Sequence, residues 1–126
     1  MNRKMLPAVL AALAAALPVS AADAMDVATF LAKADGLEKQ GLLALASSDY
    51  KLLKAEVQAA STQLRAERTA AQRARRKPAY CPPAQAGLTP AEIVAHFRTI
   101  APAQRRRTQV KDALRTLLAK KYPCPR

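Results

Sequence analysis

After the first two dozen residues, apolar positions recur at steps of three and four almost to the end of the chain, the spacing of helix faces rather than strand alternation. Val27, Phe30, Leu31, Ala34 and Leu37 form the first such stripe, with Lys33, Glu38 and Lys39 falling away from it. Asp26 stands where an N-cap is needed, since its short carboxylate can accept from the free amides of a first turn. Gly41 supplies a C-cap, so this helix should end near Gln40. Leu42 to Ala46 is a short apolar piece. Ser47-Ser48-Asp49 then concentrates capping side chains ahead of the longest stripe, Tyr50, Leu53, Val57, Ala60 and Leu64. Beyond Leu64 only alanines remain, among Arg65, Arg68, Arg73, Arg75 and Arg76, and the helix is expected to project or fray there.

Residues 77–90 hold four prolines, Pro78, Pro82, Pro83 and Pro90, and predict an extended connector, because the residue before a proline is pushed out of the helical region. Thr89-Pro90-Ala91-Glu92 starts a helix clearly. Thr89 can cap, Pro90 fits a first turn that needs no amide, and Glu92 can reach back to close a capping box. Ile93, Val94, Phe97 and Ile100 give this helix a buried face, and Ala101-Pro102 breaks it. The last helix is expected to begin between Pro102 and Thr108, to bury Val110, Ala113, Leu114, Leu117 and Leu118, and to stop at Tyr122-Pro123. The pattern predicts an all-α fold, a single domain of four to five helices over residues 25–126 whose C-terminal helix pair packs together.

The opening of the chain differs. Asn2-Arg3-Lys4, the apolar run Met5 to Leu17 and the small residues around Val19-Ser20-Ala21 and Ala22-Asp23-Ala24 predict a signal peptide over residues 1–24, cleaved between 21 and 24. The run is too short to favour a retained anchor. Export changes how the cysteines read. Cys81 and Cys124 are the only two, they bracket the helix pair, and their spacing is not that of a CxxC redox motif. In an oxidising compartment an even count of this kind predicts one disulfide clamping the pair.

Charge adds a second constraint. The chain carries 21 Lys and Arg against 9 Asp and Glu; losing Arg3, Lys4 and Asp23 with the leader takes the net charge from +12 to +11. An exported basic protein meets lipid headgroups, cell-wall carboxylates and acidic proteins rather than nucleic acid, and any membrane or wall contact is expected to be peripheral. Arg105, Arg106 and Arg107 are candidate partner-binding residues. They fall at or near the start of the last helix, where the macrodipole disfavours cations, and guanidinium forks grip carboxylates or phosphates in bidentate fashion; the plainer reading is a solvated loop. Arg73, Arg75 and Arg76 are candidates of the same kind, although cations at a helix C-terminus also suit the macrodipole without any partner.

No catalytic constellation is legible, and the chain is not expected to be an enzyme. His96 is the single histidine, with no second histidine or free thiol to join it in a metal site or a Cys/His pair. The carboxylates are scattered, and no glycine-rich phosphate loop exists. No metal or cofactor is implied.

Several motifs occur together: Tyr80-Cys81-Pro82-Pro83, then Leu88-Thr89-Pro90-Ala91-Glu92-Ile93-Val94-Ala95-His96-Phe97, Ala101-Pro102, Val110-Lys111-Asp112-Ala113-Leu114 and Lys121-Tyr122-Pro123-Cys124. This series, covering residues 80–124, resembles the type VI secretion amidase immunity (Tai) family of small periplasmic helical proteins. The resemblance implies an all-helical periplasmic protein, often a homodimer, that neutralises a peptidoglycan-cleaving amidase by plugging its active-site groove; it carries over Cys81 and Cys124 as the bridge and no inhibitory residue. The expected function is therefore a periplasmic protein-binding module of the immunity type. The alternative expectation is an envelope-associated structural or stress protein resting its basic surface on anionic lipid or cell wall.

Overall fold

The structure is a computed structural model that describes residues 24–126. Apart from Ala24, the expected signal peptide lies outside the described residues. The fold is all-α, with five α-helices and one 3-10 turn among the described residues: α1 (Val27–Gln40), the 3-10 turn (Gly41–Ala46), α2 (Ser48–Arg73), α3 (Pro90–Arg98), the short α4 (Pro102–Arg105) and α5 (Val110–Lys121). α1 is central. It packs against every other helix, α5 lies along both α2 and α3, and α2 and α3 themselves make no backbone contact.

The stripes read from the sequence build one core. Phe97, Leu64, Leu114, Val27 and Val110 are fully buried, and Phe30, Leu31, Ala34, Leu53, Ala60 and Ile93 close around them. Phe30 and Phe97 meet edge to face, ring centres 5.0 Å apart, an arrangement contributing roughly 0.5–1.5 kcal/mol beyond the area it buries. The caps form as expected. Asp26 Oδ1 accepts from the Thr29 amide at 2.7 Å, and the Thr89 and Glu92 side chains exchange the two bonds of a capping box at 3.2 and 2.7 Å. The Cys81–Cys124 disulfide is present, with its Cα atoms 4.8 Å apart.

Two expectations need correction. The last helix does not begin between Pro102 and Thr108 as one piece. The chain makes the single turn of α4, opens into an extended conformation at Gln109 and restarts at Val110. The cause is a contact distant in sequence: the Val27 amide donates to the Thr108 carbonyl and the Val110 amide to the Met25 carbonyl, each at 2.9 Å, so the strand-like pair Asp26 and Gln109 fastens the start of α1 to the start of α5. The far end of α2 also neither projects nor frays. It stays helical to Arg73, buries Ala71, and sets Arg68 over the Tyr80 ring at 5.4 Å. Glu67 on this stretch receives both a bidentate bond from Arg115 of α5, Nε to Oε2 at 3.2 Å and Nη2 to Oε1 at 3.0 Å, and an ion pair from Lys111 at 3.3 Å. The helix then ends in a Schellman turn, with the Arg76 amide on the Ala71 carbonyl at 2.8 Å and the Arg75 amide on the Gln72 carbonyl at 3.1 Å.

Candidate functional site

At the C-terminal corner, residues distant in sequence are fastened together. Beside the disulfide, the Cys81 amide donates to the Tyr122 carbonyl at 2.8 Å. The Tyr122 hydroxyl exchanges bonds with the backbone of Gly87, donating at 3.1 Å and accepting at 3.2 Å. Lys121 Nζ reaches both the Gly87 carbonyl, at 2.9 Å, and Glu92 Oε1, at 2.6 Å. The Lys121 ammonium, helped by the Thr89 amide, holds the Glu92 carboxyl down from the usual 4.5 to about 2. This corner fixes where α3 starts relative to where α5 ends, and so sets the position of α3 as a wall.

That wall faces α2 across open space. Because the backbones of the two helices stay apart, a groove of about 630 Å³ runs between them, floored by Phe30, Ala34 and Leu37 of α1 and walled by Leu53 and Val57 on one side and Ile93 and Val94 on the other. Its surface is overwhelmingly aliphatic and aromatic. Arg98 lies at its mouth, donating to Asp35 and Glu38 at 2.9 Å each, while Lys54 on the opposite lip makes no ion pair among the described residues. At one end the 3-10 turn contributes Ala44 and Leu45 to the lining.

The same turn carries the most exposed large apolar side chains described: Leu42 at 88 %, Leu43 at 78 % and Leu45 at 60 % of full accessibility, joined by Leu52 on the first turns of α2. Gly41 makes the turn possible. Its φ of 57° and ψ of −133° lie where a Cβ would be strained, and they redirect the chain out of α1 into the turn. Neither the groove nor the leucine turn was singled out by the sequence. The available signal was the unbroken run Leu42-Leu43-Ala44-Leu45-Ala46, apolar without helix or strand periodicity between two capped helices.

The candidate arginines do not form one patch. Arg105 lies partly buried in the fold, its guanidinium donating to the Ile100 carbonyl at 2.8 Å and the Arg98 carbonyl at 2.9 Å, so it satisfies the open end of α3. Arg106 and Arg107 are exposed in the turn before α5 rather than on its first turn, and form no ion pair among the described residues. Arg73, Arg75 and Arg76 are exposed around the end of α2, a 26-residue helix about 39 Å long, and so stand far from the leucine turn at its start.

His96 sits half-buried on α3. Burial, then the positive charge of Lys120, lower its pKa from the usual 6.5 against a smaller raising effect of the Ala113 backbone, leaving a neutral imidazole packed beside Phe97. No cluster of three or more metal-binding side chains occurs among the described residues, and none of their helices is long and apolar enough to cross a membrane. Comparison with protein-family models, curated proteins and solved structures finds no match to this chain.

Proposed function

We propose that this protein is an exported binding module whose working surface is the groove between α2 and α3, and that its partner is a protein. The observation that carries this reading is the groove itself: two helices held apart over an apolar floor leave room for the apolar face of a partner helix or loop, the helix-in-groove mode of recognition. The disulfide corner supports it by holding the α3 wall in place before a partner arrives, which reduces the ordering cost of binding. The resemblance over residues 80–124 supports an immunity role, in which the partner is a peptidoglycan-cleaving amidase and the outcome is inhibition.

The test is capture from periplasmic extract with the oxidised protein, followed by assay of what is retained. A peptidoglycan amidase recovered in stoichiometric amount and inactive in the complex is the expected result. Val94→Glu, which places a carboxylate on the groove wall, should abolish capture. Recovery of no cell-wall hydrolase would sink the amidase reading, and full retention by the Val94 variant would sink the groove as the contact.

A second reading, an envelope-associated protein acting through charge, is favoured by Arg73, Arg75, Arg76 and Lys77, exposed together around the end of α2 with no carboxylate partner among the described residues. Substituting these four with Gln distinguishes it, since it should weaken salt-sensitive binding to envelope fractions and leave amidase capture unchanged.

A further inference from the structure

We infer that the turn Gly41–Ala46 is a membrane-docking element that inserts its leucines into the headgroup layer of an anionic bilayer. This goes beyond the groove reading and does not rest on it: Leu45 lines the groove, but Leu42 and Leu43, the two most exposed leucines, do not.

Three features of the turn fit a bilayer interface. It is the connection between α1 and α2, so it caps the end of a helix pair and presents its leucines at an extremity. In a 3-10 turn positions three apart align, which places Leu42 over Leu45 along one edge with Leu43 beside them. Its backbone is also provided for, through the turn's own i to i+3 bonds and the Ser47 amide on the Ala44 carbonyl at 2.9 Å, so little unsatisfied polar backbone enters a medium poor in water. Six residues of 3-10 geometry span about 12 Å, suited to lying in an interfacial layer roughly 5–10 Å deep.

Charge selects the kind of surface. The acids nearest the turn are engaged within the fold, Asp35 and Glu38 by Arg98 and Asp49 by Lys33 at 2.9 Å, whereas Lys39, Lys51 and Lys54 form no ion pair among the described residues. Exposed leucines flanked along the chain by exposed lysines match a bilayer of anionic headgroups, to which each added cation increases partitioning. A second copy of the chain fits less well, because two strongly basic chains would bring these lysines together.

The experiment uses oxidised residues 24–126, which contain the core formed among the described residues and the bridge, and lack the apolar leader that would itself partition into lipid. It measures sedimentation with vesicles of equal parts phosphatidylglycerol and phosphatidylcholine, and with phosphatidylcholine alone. Binding is expected only to the anionic vesicles. Leu42→Gln with Leu43→Gln should reduce it about tenfold or more, with an unchanged circular dichroism melt showing that the fold is intact. Lys39→Gln, Lys51→Gln and Lys54→Gln together should weaken binding and flatten its salt dependence, while the Arg73, Arg75 and Arg76 changes at the far end should not alter insertion. Since the chain has no tryptophan, Leu43→Trp provides a single reporter whose emission should shift to the blue on adding anionic vesicles. Failure to bind those vesicles, binding that survives the leucine changes, or a blue shift that appears without lipid as the chain dimerises would each overturn the proposal.

Discussion

At the Cys81–Cys124 corner, the chain between the connector and the last helix is held by a covalent bond, by backbone and hydroxyl bonds from Tyr122, and by Lys121 shared between Gly87 and Glu92. At the Leu42–Leu45 turn the relation is reversed: large apolar side chains face solvent, with only Leu45 reaching the groove. Fastening is thus concentrated in one region and uncovered apolar surface in another, with the groove between α2 and α3 linking them. In a small domain, where net stability is a narrow difference between large terms, this division predicts that the two regions answer to mutation independently. Loss of the first should act on folding, and loss of the second on association.

Removing the bridge gives the largest effect. The cysteines are 43 residues apart in sequence, and on the chain-entropy account opening so large a loop costs roughly 4 kcal/mol. Cys81→Ser with Cys124→Ser should therefore lower the urea midpoint severely, read by circular dichroism. A loss well under about 1 kcal/mol would break the comparison, because the noncovalent bonds of the corner would then suffice.

Gly41→Ala should cost about 1–3 kcal/mol, since it places a Cβ at a backbone conformation strained for any L residue. Space is not the reason, as an added Cβ would meet nothing within 4 Å. The same change should disturb the leucine turn, whereas the serine pair should leave it unaltered. Hydrogen exchange over residues 41–47 in both variants sharpens the separation of the two regions.

Lowering the pH tests the corner without mutation. The Glu92 carboxyl has a pKa near 2 in the fold and the usual 4.5 when released, so its ionised form is favoured by folding. Its contribution is complete above pH 4.5 and is lost as pH falls from there through 2. Glu67 adds a loss of the same sign: burial raises its pKa, but bonds from Arg115 and Lys111 outweigh that and leave it lowered. Glu92→Gln should remove part of the acid sensitivity seen in thermal melts, and Glu67→Gln a further part. An unchanged acid limb in both variants would place the sensitivity elsewhere.

Local signals made much of this fold legible. Asp26, Thr89-Pro90 with Glu92, and the apolar stripes act within a few residues of themselves, and each predicted its helix and buried face. The disulfide followed from the cysteine count and the expectation of export. What escaped depends on partners far along the chain. Gln109 looks suited to a helix interior and is extended because Met25 and Val27 pair across it. The end of α2 looked loose because its stripe is reduced to alanines, while Glu67 and Arg68 there are held by Arg115 and Tyr80. Of the candidate arginines, Arg105 serves two backbone carbonyls, which no charge pattern reveals. The groove exists because α2 and α3 stay apart, a property of the packing rather than of either helix.

A smaller effect, and a stabilising one, is expected at Arg75. It occupies the left-handed position of the Schellman turn with φ 54°, where glycine avoids the Cβ clash that any other residue bears. Arg75→Gly should raise stability by about 0.5–1 kcal/mol, a gain measurable as a higher melting temperature. Since the variant also removes one exposed cation, an unchanged salt dependence of vesicle binding would show that this end of α2 takes no part in association.

The smallest effect on folding is expected where the effect on binding should be largest. Leu42 and Leu43 are almost fully accessible, so folding buries little of their surface and their replacement by Gln removes little transfer free energy. Stability should change by less than about 0.5 kcal/mol, the ordinary range for surface positions, and it could rise if the leucines cluster in the unfolded chain. Leu114→Ala, at a fully buried site on α5, should cost about 2–5 kcal/mol in the same assay. Urea melts of the two variants side by side make the decisive comparison. If the leucine pair proves costly to remove, the turn is part of the core in solution, and its side chains are not available to any external surface.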